Sequence, residues 1–369
     1  MSMKKLIRPV VTQITPYTPG KPIEEVKREL GIKDVFKMAS NENALGPSPR
    51  ALAAMKRAIK DVHRYPDGSC FYLKRALARK YDLSPEQCII GNGSDELIVL
   101  ALRTFINPGD EVIIASPTFL VYRLAAILAD AKVITVPLRA FRYDLVAMRE
   151  RVGPKTKMVF IANPDNPTGT YVTREEVEWF IYSLPKHVIV FFDEAYCEYV
   201  RAKDYPDTLK YLGRGNSIVS RTFSKVYGLA GLRIGWAAAT REVAGYLNQL
   251  REPFNVNLVA QKAAEAALGD RAHVLRTRAM NEAGLRYLSH GLREDGVFYV
   301  PSVTNFLLIN VGPQSQQLYQ RLMAKGVIVR EMSGWGLKNF IRVTIGTMRE
   351  NQCFLKQFRL ARAALAKGA

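Results

Sequence analysis

From residue 111 to residue 222 the chain alternates two kinds of apolar pattern. The stretches "DEVIIASPT", "AKVITVPL", "TKMVFIANP", "HVIVFFDEAY" and "NSIVSRTFS" each hold a short, nearly continuous run of β-branched and apolar residues. In "FLVYRLAAILAD" and "TREEVEWFIYSLP", by contrast, apolar residues recur three or four positions apart. Continuous short runs predict strands buried on both faces, and the three-to-four spacing predicts amphipathic helices. Their alternation predicts an α/β fold with a mostly parallel central sheet flanked by helices. Polar motifs then fall just past the C-terminal ends of the strands, the edge where open α/β sheets bind ligands.

The last hundred residues read differently. "REVAGYLNQLREPFNVNLVAQKAAEAAL" predicts a long helical stretch broken at Pro253. Helices then separate the strand-like runs "VFYVPS", "TNFLLINV", "GVIVR" and "NFIRVTIG". This predicts a large domain over 49–265 and a smaller α+β domain over 266–369, completed by the N-terminal segment 1–48. A cofactor cleft between the two is the expected site.

Composition narrows the classes of function. With 369 residues, 48% of them hydrophobic, the chain has enough material for two domains and a sizeable core. It holds no apolar run long enough to predict a membrane span. The start "MSMKKLIRPVVTQ" lacks the apolar stretch of a signal peptide. Cys70, Cys88, Cys197 and Cys353 are scattered and form no CxxC, which suits a reduced, cytoplasmic setting. The four histidines are not paired at ligand spacing, so no metal is expected. The net charge of +19 raises nucleic-acid binding. However, the basic residues are spread over helical patterns such as "RALAAMKRAIKDVHR" and form no single tract interleaved with aromatics. They read as solvated helix faces, whose summed field would steer anionic small molecules.

Four strand ends carry candidate chemistry. "IIGNGSDELIVLAL" turns from a strand through Gly91 and Gly93 into a helix near Ser94, which is either an ordinary N-cap or an anion site built from backbone N–H groups. "IANPDNPTGT" is a rigid loop that offers the Asn166 amide. "VFFDEAYCEY" ends an apolar strand with Asp193, followed by Tyr196. A carboxylate there is partly buried and needs a cationic or donor partner, whether in a structural ion pair or on a ligand. In "RTFSKVYGLAGLRIG", Lys225 stands among Thr222, Ser224 and Arg233. Two hydroxyls and a guanidinium suit a phosphate dianion, and the lysine amine could reach an aldehyde. One ligand answers the whole set: it has a phosphate, a protonated ring nitrogen, a phenolic oxygen and an aldehyde. That ligand is pyridoxal 5′-phosphate.

On these motifs the chain resembles the fold-type-I pyridoxal-phosphate-dependent aminotransferases over nearly its whole length. "TPYTPGKPIEEVKRELGIKDVFKMASNENALGPSP", "RYPDGSCFYLKRALA" and "NFIRVTIGTMREN" are similar, more narrowly, to the histidinol-phosphate branch of that family. The resemblance implies that Lys225 binds the cofactor covalently and moves the proton at the substrate Cα. Asp193 would keep the ring nitrogen protonated, Tyr196 and Asn166 would bond the ring oxygen, and Phe119 would stack on the ring. Thr222, Ser224, Arg233 and the amides of Gly93 and Ser94 would hold the phosphate. Tyr65 would reach the phosphate in the neighbouring subunit of a homodimer. Arg342 would grip the substrate's carboxylate or phosphate, with Arg330 and Tyr17 as further candidates at that end. Asn43 lies in a loop expected to touch substrate, followed here by Ala44 where the family often has proline. The implied reaction transfers an amino group between L-histidinol phosphate and 2-oxoglutarate, a step of histidine biosynthesis. An aromatic-amino-acid aminotransferase and a phosphothreonine-type decarboxylase are the alternatives on the same scaffold.

Overall fold

The computed structural model describes residues 6–14, 16 and 20–367. Strand β1 (Phe36–Lys37) precedes the main sheet, which is built from β2 (Cys88–Gly91), β3 (Glu111–Ser116), β4 (Lys132–Pro137), β5 (Thr156–Ala162), β6 (Ile189–Asp193), β7 (Ser217–Thr222) and β8 (Gly235–Ala238). The spatial order is β2-β8-β7-β6-β5-β3-β4. Each strand-like run of the 111–222 region forms one of these strands. β5, β6 and β7 are buried almost throughout, which is why their sequences show no alternation. Phe160, Phe191, Phe192 and Trp236 are fully enclosed in this core. Each contributes on the order of 1.5–3 kcal/mol by burial.

The sheet is mixed at one place. β8 runs antiparallel to both β2 and β7, and all other neighbours are parallel. A parallel neighbour needs a crossover that carries the chain back across the sheet. Segment 223–234 makes none. It folds on itself at the C-terminal edge through Phe223 N–H to the Ile234 carbonyl (3.1 Å) and Gly228 N–H to the Lys225 carbonyl (3.0 Å). Lys225, just after β7, and Arg233, just before β8, therefore stay at the same edge.

A second sheet, ordered β12-β13-β10-β9, contains β9 (Tyr299–Val300), β10 (Phe306–Asn310), β12 (Arg330–Glu331) and β13 (Phe340–Thr344). β1 pairs in parallel with β11 (Val327–Ile328), and Thr344 N–H donates to the Met38 carbonyl at 2.8 Å. The N-terminal segment is thus stitched to the C-terminal part of the chain. Met38 joins Leu307, Ile309, Phe354 and Phe358 in a second core. The helical stretch containing Pro253 resolves into helices Arg241–Leu250 and Leu258–Leu268, with the proline in the break.

Candidate active site

A cavity of about 440 Å³ opens at the C-terminal edge of the main sheet, where the segments after β5, β6 and β7 meet residues 40–42. One end is built for an anion. The helix Ser94–Phe105 starts there, with Gly93 as its N-cap at φ 85°. A side chain at Gly93 would be strained at this positive φ and would push the Arg233 guanidinium aside, since its Cβ would lie 2.4 Å from Arg233 Nη2. Glycine lets the guanidinium fold against the helix N-terminus, where backbone N–H groups already favour negative charge. Arg233 itself is held at φ 54°. Its Nη1 donates to the Ala230 carbonyl (3.1 Å) and approaches Ser224 Oγ (3.5 Å), and its Nη2 lies 3.5 Å from Asp95 Oδ2. Thr222, Ser224 and Ser94 complete this end.

Deeper in, Asp193 closes β6 with a buried carboxylate. Tyr122 OH donates to its Oδ2 at 2.7 Å and Ala195 N–H to its Oδ1 at 3.2 Å. Burial pushes its pKa up to about 6, against the pull of the Tyr122 hydrogen bond. A buried carboxylate with one oxygen on a phenol and its face on a cavity is matched by a cation in that cavity.

The donors at the opposite wall follow from their partners. Arg342 Nη1 donates to Asn166 Oδ1, which leaves Asn166 its Nδ2 group as the donor for the cavity. Asn41 Nδ2 donates to Tyr196 OH at 2.9 Å, so the phenol proton is available for an acceptor in the cavity. Burial raises the Tyr196 pKa to about 12, opposed by the Arg342 charge and the Asn41 bond, so the phenol is neutral near pH 7. Lys225 Nζ donates to the Ser40 carbonyl at 3.3 Å and lies 5.6 Å from the centre of the Tyr196 ring. Phe119, the N-cap of helix Leu120–Leu128, lines the cavity with its ring edge-on to Tyr122.

Nine expected residues thus line one cavity: Ser94, Phe119, Asn166, Asp193, Tyr196, Thr222, Ser224, Lys225 and Arg233. Gly93 caps the helix beside it. Arg342 does not line the cavity itself; it is buried and bonded to the lining residue Asn166 and to the Ala39 carbonyl (2.9 Å). Arg330 pairs with Arg342 across β12 and β13, and its guanidinium lies 4.8 Å over the Trp335 ring. Asn43 points elsewhere: its Nδ2 donates to the Val226 carbonyl (2.9 Å) and Thr277 Oγ1 (3.1 Å), and its Oδ1 accepts from Leu45 N–H. Tyr65 is 83% exposed, stacks on Phe254 at 4.8 Å and does not line the cavity. Tyr17 lies outside the described residues.

Sequence reasoning passed over Tyr122, Asn41, Ser40, Glu42 and Asp95. Asn41 sits two residues before Asn43 in "SNEN", and its left-handed backbone (φ 56°) is a conformation that asparagine tolerates better than most residues. Nothing in its spacing separates it from Asn43. Tyr122 follows Phe119 by one helical turn, which is a usable signal for a shared face.

The family model "Aminotransferase class I and II" matches residues 33–358. The chain is 49% identical over 354 residues to "Histidinol-phosphate aminotransferase" of Moorella thermoacetica, covering 95% of this chain and 92% of that one. It is 47% identical over 350 residues to the protein of the same name from an Anaeromyxobacter species, covering 94% and 96%. Among solved structures, the histidinol-phosphate aminotransferase of Sinorhizobium meliloti in complex with pyridoxal-5′-phosphate is similar at TM-score 0.90. The two are 28% identical, over 97% of this chain and 98% of that one.

Proposed function

We propose, of a chain that belongs to the class I and II aminotransferases, that it exchanges an amino group between L-histidinol phosphate and 2-oxoglutarate, yielding imidazole-acetol phosphate and L-glutamate in histidine biosynthesis. The observation that carries this reading is full-length identity of 43–49% to relatives that share that one name. The fold is that of the type-I enzymes, and the cofactor is pyridoxal 5′-phosphate.

The residues present fit that cofactor. The glycine-permitted cradle between Arg233 and the Ser94 helix accepts a phosphate dianion, with Thr222 and Ser224 as further donors. Asp193 is the counter-charge for a protonated ring nitrogen. The Tyr196 hydroxyl and Asn166 Nδ2 are donors for the ring oxygen, and Phe119 is the ring to stack on it. When bound, this group supplies an aldehyde that links to amines and a ring that takes up the electron pair of a broken Cα–H bond.

The chain's own groups do the rest. Lys225 carries the amine that holds the cofactor covalently. When released, Nζ would take the proton from the substrate Cα and deliver it to the carbon two bonds away, across the substrate nitrogen. The buried charge of Asp193 is destabilised until a cation lies beside it, which makes it a strong partner for the ring N–H. Arg342 is fixed in orientation by Asn166 and the Ala39 carbonyl and presents a planar fork to a carboxylate or phosphate. Arg330, on the adjacent strand, adds a second positive charge for a phosphorylated donor.

The protein acts as a homodimer in this reading. Ile59, Val62, Tyr65 and Tyr72 are all at least 60% exposed. Contacts join two of them to the 254–262 region: Tyr65 stacks on Phe254, and Lys262 lies 4.7 Å over the Tyr72 ring. A clustered apolar surface of this kind marks an interface. Tyr65, too exposed to serve its own cavity, is assigned to the phosphate of the partner's site. Among the described residues no helix is long and apolar enough to cross a membrane, and we place the enzyme in the cytoplasm.

Single-turnover bleaching of the bound cofactor's absorbance, with histidinol phosphate, phenylalanine and tyrosine in parallel, tests the donor. Faster bleaching by either amino acid than by histidinol phosphate rejects the reading in favour of an aromatic aminotransferase.

A further inference from the structure

The turn at residues 139–142 is built against its own backbone preference. Arg139 N–H donates to the Arg142 carbonyl (2.9 Å) and Arg142 N–H to the Arg139 carbonyl (3.0 Å), which closes a two-residue hairpin. Its central residues Ala140 and Phe141 both have positive φ, 49° and 63°. Such turns ordinarily carry Asn-Gly or similar pairs, because a Cβ is crowded in that conformation. Non-glycine residues persist there when surrounding contacts hold them.

Those contacts lie on both halves of the active site. The Phe141 ring packs against Phe298 (6.0 Å between centres) and Phe340 (5.7 Å). Phe340 opens β13, the strand that carries Arg342 two residues later. The Phe141 carbonyl accepts from Thr170 Oγ1 at 2.7 Å. Thr170 N–H donates to Thr168 Oγ1 (3.3 Å), and Thr168 Oγ1 donates to Asp165 Oδ2 (2.9 Å). The other oxygen of Asp165 accepts from Thr118 Oγ1 at 2.8 Å, and Thr118 bonds Tyr143 OH (2.7 Å), one residue past the hairpin. Asp165 directly precedes Asn166, the partner of Arg342. The same loop meets the small sheet's side again at Gly169, whose carbonyl accepts from Val303 N–H (2.9 Å). A Cβ at Gly169 would lie 2.2 Å from Ser302 Oγ.

We propose that Phe141 is a positioning residue: its ring sets where β13 rests, its carbonyl sets where the 165–170 loop rests, and together they hold Arg342 and Asn166 in register. The role rests on the reading of Arg342 as the group that receives the substrate's anion. Phe141 touches neither substrate nor cofactor; its effect reaches the substrate's anion through Arg342 and the cofactor through Asn166, which is one donor among the several that hold it.

Phe141→Asn suits the left-handed turn but removes the ring, Phe141→Tyr keeps the ring, and Ala140→Gly relaxes the turn without touching the contact. Loss of an aromatic pair corresponds to up to about a tenfold change in an equilibrium. With Phe141→Asn we expect hydrogen exchange at amides 165, 166 and 168–170 to quicken by about tenfold, the KM for both amino donor and oxo acid to rise by a similar factor, and the cofactor dissociation constant to rise by less, about threefold at most, because Asn166 is one of several groups that hold it. Phe141→Tyr restores the exchange rates and KM, and Ala140→Gly leaves both at wild-type values. Unchanged exchange at 165–170 in Phe141→Asn, or quickened exchange spread evenly over the chain, overturns the proposal. Arg342→Lys runs beside it: unchanged KM there rejects the reading of Arg342, while the exchange data still decide the role of Phe141.

Discussion

Asp193 imposes a cost on the cofactor-free protein that its function requires, and Asp193→Asn exposes that cost. The carboxylate is buried at the end of β6, with Tyr122 OH and Ala195 N–H as its described hydrogen-bond donors. Its pKa rises from an ordinary 3.8 to about 6, chiefly through burial. An acid whose folded pKa is raised binds more protons folded than unfolded between those values, so it loses stability as pH climbs through that window. At about 1.4 kcal/mol per pKa unit, the full penalty above pH 7 is about 3 kcal/mol. Asparagine removes it but weakens one hydrogen bond to Tyr122 or Ala195, at roughly 1 kcal/mol. The variant should therefore be more stable than wild type by about 2 kcal/mol at pH 7.5 and roughly equal to it at pH 4.5, where much of the penalty has vanished. Urea unfolding of the two cofactor-free proteins at both pH values measures the swing. The loaded protein should respond in the opposite sense. Without the charge opposite the ring nitrogen, cofactor affinity should fall at pH 7.5 and turnover should drop by at least about a hundredfold, near 3 kcal/mol. A stability difference that does not change between pH 4.5 and 7.5, or turnover within a factor of about three of wild type, refutes the reasoning.

Three further outcomes follow from the site. Lys225→Ala should fold with an unaltered far-ultraviolet spectrum yet fail to hold cofactor through borohydride reduction; a reduced adduct on any other lysine of the wild type excludes Lys225 from the role. Arg342→Lys loses the planar fork and its bond to Asn166, so both half-reactions should slow by about tenfold or more. Slowing confined to the glutamate half-reaction transfers the donor's phosphate to Arg330. Lys225→Ala and Tyr65→Ala chains, refolded together, should regain about half of wild-type activity per heterodimer, because a two-fold interface leaves one site with neither lesion. Activity no higher than the sum of the separate variants places Tyr65 in its own subunit.

Local pattern alone determined the strands of the main sheet from β3 to β7, the helices after β3 and β5, and the break at Pro253. These follow from apolar periodicity and from the conformational limits of proline, which act within a few residues. It also placed Lys225, Asp193 and Asn166 at or just past strand ends, because a polar residue that follows a wholly apolar strand has only the sheet edge to occupy; Arg233 joins them only through the fold-back of 223–234. Tertiary structure decided the rest. The reversal of β8 depends on segment 223–234 folding at the edge instead of crossing the sheet, a choice set by hydrogen bonds between residues far enough apart to leave no periodic trace. Asn41 and Asn43 have the same chemistry and nearly the same place in the chain; only the packing of 38–46 against β13 and the 226–277 region sends one amide to Tyr196 and the other to Val226 and Thr277. The pairings of Tyr122 with Asp193 and of Arg342 with Asn166 join residues 71 and 176 positions apart. A hydrogen bond across such separations is specified by where two elements come to rest against each other, and that is fixed by the burial of their apolar faces, not by the polar residues that meet as a result.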